Sequence, residues 1–332
     1  MSAVVLKVIQ DLSLKCYSHV KKATEEKFQI RLGYLYCIGG QIIRIKSWTM
    51  DDYSPHECRG YLVTLQSALL AECQQITEPR EFSKANIIEV GCAYGATTAQ
   101  ISDYWPNNRE VLGIDSNKNA INYAFTFVAD EKMDFAYADI EDQSTFDLTW
   151  AGKFDWVFSS QALFFVRDHA AALRNLMWCI KPGGKCYIAV PAAKPADFHA
   201  AAKKVIGAEC WKQTFQPISD LVSDITEANC NRLWFHHPHA DRVYSALLEQ
   251  VGYQILHTKL FDFRYIFSSQ DEYKACLRCL IRRPLQCVPE DKRDHVLKEF
   301  QKAAYKKAKK TPGGSVIWNL KYVMVLAKRP EL

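Results

Sequence analysis

Ile87-Ile88-Glu89-Val90-Gly91-Cys92-Ala93-Tyr94-Gly95 reads as a buried strand running into a tight turn. An apolar run of this kind is what a strand covered on both faces looks like. Small residues at 91, 93 and 95 let backbone approach a ligand closely, and glycine reaches dihedrals that other residues avoid. Residues 96–104 then read as a helix. Ligands of open α/β sheets bind beyond the carboxyl ends of the strands, so this turn marks a nucleotide-type cofactor site. One glycine turn does not choose the cofactor, but Glu89 narrows it. Pyrophosphate sites use Gly-x-Gly-x-x-Gly at a helix start. A carboxylate here would repel phosphate and suits the ammonium group of an amino-acid-like ligand.

Outward from the turn, strand and helix alternate. Residues 110–115 form a second strand ending in Asp115. Ser116 and Asn117 can cap the next helix, which runs to 128. Residues 133–138 alternate as a strand and lead to Asp139-Ile140. A fourth strand spans 154–159, a helix spans 168–180, Lys181-Pro182-Gly183-Gly184 turns, and a strand covers 185–190. This alternation predicts a mostly parallel sheet with helices on both faces. Upstream, Val4, Val5, Val8, Ile9 and Leu12 recur at helical spacing. Residues 41–46 suit a short strand, and Trp48 to Tyr53 form an aromatic and acidic loop. Residues 60–76 read as a helix with Leu62, Leu65, Leu69, Leu70 and Cys73 inward, and 78–86 as a polar connector. Downstream, 191–238 breaks the rhythm and holds Trp211, Phe215, Trp234 and Phe235, which suggests an insertion over the carboxyl edge. A helix at 240–251, a strand at 253–266, helices at 269–282 and 290–310, a turn at 311–314 and a strand at 316–328 complete the chain. The expected division is an N-terminal helical and lid segment (1–84), a cofactor-binding core (85–190), a cap insertion (191–239) and the rest of the core (240–332), with a helical insertion at 269–312.

Composition narrows the class. The 332 residues are 48% apolar and 24% charged with a net charge of +5, an ordinary globular mixture. No dense basic stripe carries interleaved aromatics, so nucleic acid is not an expected partner. No apolar run approaches the ~20 residues of a membrane span. The twelve cysteines are scattered through apolar and helical segments, and residues 1–14 carry Lys7 and Asp11 without a signal-peptide cleavage site. Free thiols in a reducing compartment, the cytoplasm, are expected.

Glu89, Asp115 and Asp139 end three successive strands and would line one cleft. A carboxylate at the end of a second strand accepts hydrogen bonds from a ribose diol. An acid beside an apolar residue after the third strand suits an adenine amine and a stacking face. Glu89-x-Gly91-x-Ala93-x-Gly95, Asp115, Ala138-Asp139-Ile140, Phe154-Asp155-Trp156-Val157-Phe158-Ser159 and Lys181-Pro182-Gly183-Gly184 together resemble the class I S-adenosylmethionine-dependent methyltransferases over roughly 87–190. The strands at 253–266 and 316–328 resemble that family's closing antiparallel pair. The resemblance implies a Rossmann-like seven-stranded sheet, mostly parallel with the last strand antiparallel, helices on both faces and a helical, aromatic cap. It implies S-adenosyl-L-methionine as cofactor. The methionine end would lie on Glu89, Gly91 and Gly95 with Cys92, Ala93 and Tyr94 between them. The ribose would lie on Asp115 beside Ser116, the adenine on Asp139 and Ile140, and the inner face on Ser159, Ser160 and Gln161. The family usually has glycine where Ala93 stands, and alanine is tolerated there with a negative φ.

The layout is similar to a narrower group, the small-molecule carboxyl methyltransferases typified by juvenile hormone acid and trans-aconitate methyltransferases. Trp48 and Tyr53 resemble their lid, and residues 158–168 their segment after strand four. A lid glutamine is Gly60 here, and a His-Trp pair is Phe164-Phe165. A small-molecule acceptor follows from this likeness, an oxygen or carboxylate, with substrate contacts at Trp48, Tyr53, His56, Phe165, Trp211 and Trp234. Tyr53, Gln161, Phe164 and Phe165 are the catalytic candidates. An ionised carboxylate needs no base, whereas a hydroxyl or amine would want one, and His56, His236, His237 and His239 are the histidines near the expected mouth. Methylation of a protein or RNA, a silent cofactor-binding protein, and a nicotinamide dehydrogenase are the alternatives. No Asn/Asp-Pro-Pro-Tyr stretch stands after strand four, which disfavours the first. The missing third glycine disfavours the last. Cys276-x2-Cys279 reads as two ordinary thiols, 236–239 as a loop leading into a helix at Pro238, Lys302 to Lys310 as a solvated helix end, and no metal is expected.

Overall fold

The computed structural model describes residues 35–38, 41–44, 59–193, 195–226 and 234–331. The chain divides into two compact units, Met1–Ser54 and Pro55–Leu332. In the first, β1 (Leu35–Ile38) and β2 (Gln41–Arg44) pair as an antiparallel hairpin. The stripe at Val4 to Leu12 and the aromatic loop at Trp48 to Tyr53 lie outside the described residues.

The second unit is built on one eight-stranded sheet. Its long strands are β3 (Asn86–Val90), β4 (Glu110–Asp115), β5 (Met133–Tyr137), β6 (Phe154–Ser160), β7 (Ile180–Pro191) and β8 (Gln254–Ile266), with a two-residue β9 (Lys309–Lys310) and a last β10 (Val316–Lys328). Their order is β5-β4-β3-β6-β7-β10-β8, and β9 pairs with β10. The first five run parallel. β10 enters antiparallel between β7 and β8. The Rossmann-like sheet expected from the sequence is therefore present, with β9 as an added edge fragment.

Alternation of side chains along each strand splits the core into two layers. Ile87, Val111, Trp156, Phe158, Tyr187, Ala189, Tyr322 and Met324 face one layer. Ile88, Leu112, Val157, Ile188, Val190, Val323 and Val325 face the other. The first layer is covered by α1 (Arg59–Gln75), α2 (Ala96–Tyr104), α5 (Ala196–Val205), α9 (Gln270–Leu280) and α11 (Glu290–Lys307), through Leu65, Ile101, Phe198, Tyr273 and Phe300. The second is covered by α4 (His169–Cys179) and α8 (Ala240–Val251), through Leu173, Leu176, Tyr244 and Leu248. Between β4 and β5, α3 (Lys118–Phe127) seals a small third cluster of Cys92, Ile121, Ala124 and Phe135. Short helices α6 (Lys212–Phe215) and α7 (Ser219–Thr226) follow α5, and α10 (Arg282–Cys287) precedes α11.

Three local readings are corrected. The connector at 78–86 is not merely polar: a 3-10 turn, Pro79–Phe82, drives Phe82 into the core. There its ring stacks on Trp105 and Trp156, with centroids 4.0 and 4.4 Å away. Lys181-Pro182-Gly183-Gly184 does not precede a strand but bulges out of β7. Phe154 pairs with Ile180 and Trp156 with Lys185, so the extra residues loop out, with Gly183 at a φ of +75. Arg329 ties the bulge down by accepting from Gly183 N–H and donating to Gly184 O. Lys309 and Lys310 do not extend the basic helix, because α11 ends at Lys307 and they pair with β10. The helix expected at 240–251 spans Ala240–Val251, with His239 as its cap.

Among the described residues no helix is long and apolar enough to cross a membrane. The Phe82 stack is the most testable part of this packing. Phe82→Ala is expected to lower the unfolding free energy by about 3–5 kcal/mol, the usual cost of emptying a buried aromatic site. Urea unfolding followed by tryptophan fluorescence measures it. A loss under about 1 kcal/mol would show that the stack carries no weight.

Candidate functional site

β3, β4 and β5 lie side by side and in register, so their carboxyl ends form one edge. Val90 pairs with Ile114, Ile114 with Ala136, and Asp115 with Tyr137. Glu89, Asp115 and Asp139 therefore come together at neighbouring strand ends. The turn after β3 is fastened to the end of β4. Gly91 and Cys92 N–H groups donate to Ile114 O at 2.8 and 3.1 Å. Ala93 N–H donates to Asp115 Oδ2 at 3.0 Å, and Asn117 N–H to Asp115 Oδ1 at 2.8 Å.

Every second residue of the turn is left-handed. Gly91, Ala93 and Gly95 have φ of +81, +47 and +82. The negative φ expected at Ala93 is thus overturned: the bond to Asp115 holds it in a region that costs a side-chain-bearing residue roughly 1–2 kcal/mol. Gly91 and Gly95 cannot take a side chain either. A Cβ at Gly91 would lie 2.1 Å from that of Ala162, and one at Gly95 would lie 2.8 Å from the Phe135 ring.

Glu89 is 2% exposed. Thr98 of α2 donates its hydroxyl to Oε2. Burial pushes the Glu89 carboxyl up to about 8, helped by the nearby Asp115 charge and opposed by the Thr98 and Thr97 hydroxyls. No ion pair among the described residues reaches it. A buried carboxylate without a cation is costly, so the site is chemically suited to a ligand that brings one. Burial also raises Asp115, against the pull of the Asn117 and Ala93 N–H groups.

The remaining sequence candidates fall into three groups. Asp139 sits beyond β5, where its N–H donates to Thr145 Oγ1 at 2.9 Å and its Oδ1 accepts from Glu141 N–H at 3.0 Å. Ile140 O accepts from Asn175 at 2.8 Å. Tyr94 is half-buried, edge-on to Tyr123. Ser159 and Ser160 end β6 and Gln161 opens the turn after it, against the glycine turn, where Ser159 Oγ donates to Val90 O at 3.3 Å. A second group lies in the core or on the surface. Cys92 faces inward onto Phe135, and burial pushes its thiol far up, which makes it unreactive. Trp234 is buried edge-on to His169 and Tyr244 and donates to Pro191 O. Ser116 is exposed, and the helix cap is Asn117, which accepts from Asn119 and Ala120. Phe165 is 60% exposed and touches Phe164, which packs on Phe235. Trp211 is half-buried beside Phe215. His237 and His239 are exposed ahead of α8. The third group, Trp48, Tyr53 and His56, lies outside the described residues. Thr98, Thr145 and Glu141 were not singled out from sequence. Glu141 accepts from Arg167 and Asp168 N–H, tying the loop after β5 to the one after β6. A polar residue on a helix or loop carries no periodic signal that would have revealed it.

Among the described residues no group of three or more His, Cys, Asp or Glu side chains could hold a metal ion. Residues 88–188 match the model of a methyltransferase domain family. Juvenile hormone acid O-methyltransferase of Bombyx mori is 23% identical over 217 residues, covering 64% of this chain and 72% of that protein. Trans-aconitate 2-methyltransferase of Deinococcus radiodurans is 29% identical over 146 residues, covering 44% of this chain and 50% of that protein. The matched stretch runs from the middle of β3 into β7 and contains the glycine turn and the carboxylates of three strand ends. The chain carries a methyltransferase domain over residues 88–188 and is similar to the class I S-adenosylmethionine-dependent methyltransferases, whose cofactor is S-adenosylmethionine.

Proposed function

We propose that this enzyme methylates an oxygen of a small-molecule acceptor, a carboxylate. The convergence of Glu89, Asp115 and Asp139 around the left-handed turn supports the cofactor half of this reading. Glu89 takes the ammonium of the methionine end, with backbone from Gly91 to Gly95 against it. Asp115, whose oxygens each keep a lone pair after bonding Ala93 and Asn117, takes the ribose hydroxyls with Ser116 at the rim. Asp139 and Ile140 take the adenine, and Ser159 to Gln161 the inner face. When bound, the cofactor supplies a methyl on a sulfonium: an acceptor oxygen lone pair forms the C–O bond as the C–S bond breaks and its electrons return to sulfur.

The acceptor half is supported by the relatives, whose names specify acid O-methylation and aconitate methylation. It also agrees with what stands beside the turn after β6. Gln161, Phe164 and Phe165 offer an amide and two rings, and no basic catalyst. A carboxylate is already ionised near neutral pH, so positioning and exclusion of water are what the protein has to supply. Phe165 and Trp211 are assigned to the acceptor's apolar body; buried Trp234 shapes the wall behind it. A cytoplasmic setting fits the eight described cysteines, all of which are free thiols.

Transfer of tritium from labelled cofactor to a cell extract, followed by separation by size, tests the acceptor class. Label in the small-molecule fraction, released by mild base as an ester would be, is expected. Label confined to protein or RNA would contradict it. Asp115→Ala should weaken binding of S-adenosylhomocysteine by about 10–100-fold, the value of hydrogen bonds to a charged group, as read by calorimetry. Unchanged binding would remove Asp115 from the site.

The raised carboxyl of Glu89 gives a pH signature. Its contribution to stability is fully present below the ordinary glutamate range and is lost as pH rises through about 8, because the folded chain then carries a buried charge. A cationic ligand reverses that preference. Affinity for S-adenosylhomocysteine is expected to rise by up to about tenfold per pH unit below about 8 and then level off, with proton release on binding. Glu89→Gln should flatten the profile. Flat affinity in the parent protein, without proton release, would exclude this role for Glu89.

A further inference from the structure

Gln161 stands at the junction of two turns. Its φ is +67, a backbone that a residue with a side chain keeps only where its surroundings hold it, and such residues gather at functional sites. Its N–H donates to Ala189 O at 2.8 Å. The next residue, Ala162, presses on Gly91 so closely that no side chain fits there. The turn after β6 is thereby locked against the turn after β3.

Strand register brings further polar groups to the same place. Ser160 pairs with Ala189, Ala189 with Met324, and Pro191 with Tyr322. Side chains of paired residues share a face, and Ala189, Met324 and Tyr322 all belong to the first core layer. Ser160 therefore shares the Tyr322 face, and its Oγ is buried without a hydrogen-bond partner among the described residues. The Tyr322 hydroxyl lies 3.0 Å from that of Tyr61 on α1. It donates to Gln161 Oε1 at 3.5 Å, the loosest link in the chain. Contacts of this kind tighten when a site fills. Burial pushes the Tyr322 hydroxyl up, opposed by Tyr61, so it remains a neutral donor. With its carbonyl end held, Gln161 keeps its Nε2 donor for the cleft; no described residue accepts from Nε2.

We propose that Tyr322, backed by Tyr61, is a positioning residue that fixes the Gln161 amide so that Nε2 and the Ser160 hydroxyl present neutral donors to the acceptor. The inference rests on the methyl-transfer reading and adds what orients the acceptor. Donors of this kind suit an oxygen that only accepts hydrogen bonds, such as a carboxylate, and disfavour a protonated amine, which arrives as a donor. The selectivity for oxygen over nitrogen then lies in one amide's orientation, set from the sheet beneath it.

The Gln161 side-chain amide in 15N-labelled protein reads this directly, with the signal assigned by its loss in Gln161→Leu. In the parent protein, with and without S-adenosylhomocysteine, two distinct amide protons with slowed exchange are expected. Tyr322→Phe keeps the ring and its packing, and should speed that exchange by about fivefold, the factor of one ordinary hydrogen bond. Tyr61→Phe should fall between the two, and thermal melting checks that both variants are folded. An amide signal unchanged by Tyr322→Phe, or one already exchanging freely in the parent protein, would overturn the proposal. Failure of S-adenosylhomocysteine to bind the parent protein would count instead against the cofactor reading, and the amide signal of the unliganded protein would still decide the positioning role.

Discussion

One carboxylate joins the two strand ends on which the site is built. Asp115 holds Ala93 N–H with one oxygen and Asn117 N–H with the other. The first bond keeps an alanine in left-handed backbone, at roughly 1–2 kcal/mol, and a hydrogen bond to a charged group offsets a strain of that size. The second sets the start of α3. The turn after β3, the end of β4 and the helix beyond it are therefore one unit, and Gly91 and Gly95 have no room for anything larger.

Below this unit the sheet is sealed on both faces by apolar layers. At the carboxyl edge the pattern changes. Glu89 is buried with hydroxyl donors and no described cation, Ser160 has no partner among the described residues, and Gln161 sits in strained backbone. Unsatisfied groups are expensive in a folded protein, and here one stands beside a buried carboxylate and a strained backbone position on the same edge. The two turns on that edge, after β3 and after β6, touch through Gly91 and Ala162, so the groups proposed for cofactor and acceptor stand on one seat.

Much of this was legible in the residues. Strands covered on both faces read as unbroken apolar runs, which is why 110–115 and 316–328 match β4 and β10 to the residue. Helix ends at Tyr104 and Val251 were marked by Pro106 and Gly252, the latter an αL cap. What failed depended on distant partners. The sign of φ at Ala93 is set by Asp115, twenty-two residues away. Lys181-Pro182-Gly183-Gly184 carries a turn signal, but β6 on one side and Arg329 on the other absorb it into β7 as a bulge. Phe82 is a single aromatic in a polar stretch, and only Trp105 and Trp156 reveal where it goes. Tyr322 looked like any strand residue until register put it under Gln161.

A crystal structure with S-adenosylhomocysteine bound tests the convergence of the three carboxylates most directly. The adenosyl group should lie across the ends of β3, β4 and β5, with its ribose on Asp115, its adenine beside Asp139 and its ammonium toward Glu89. A ligand bound elsewhere, or one that leaves any of these three acids untouched, would contradict it.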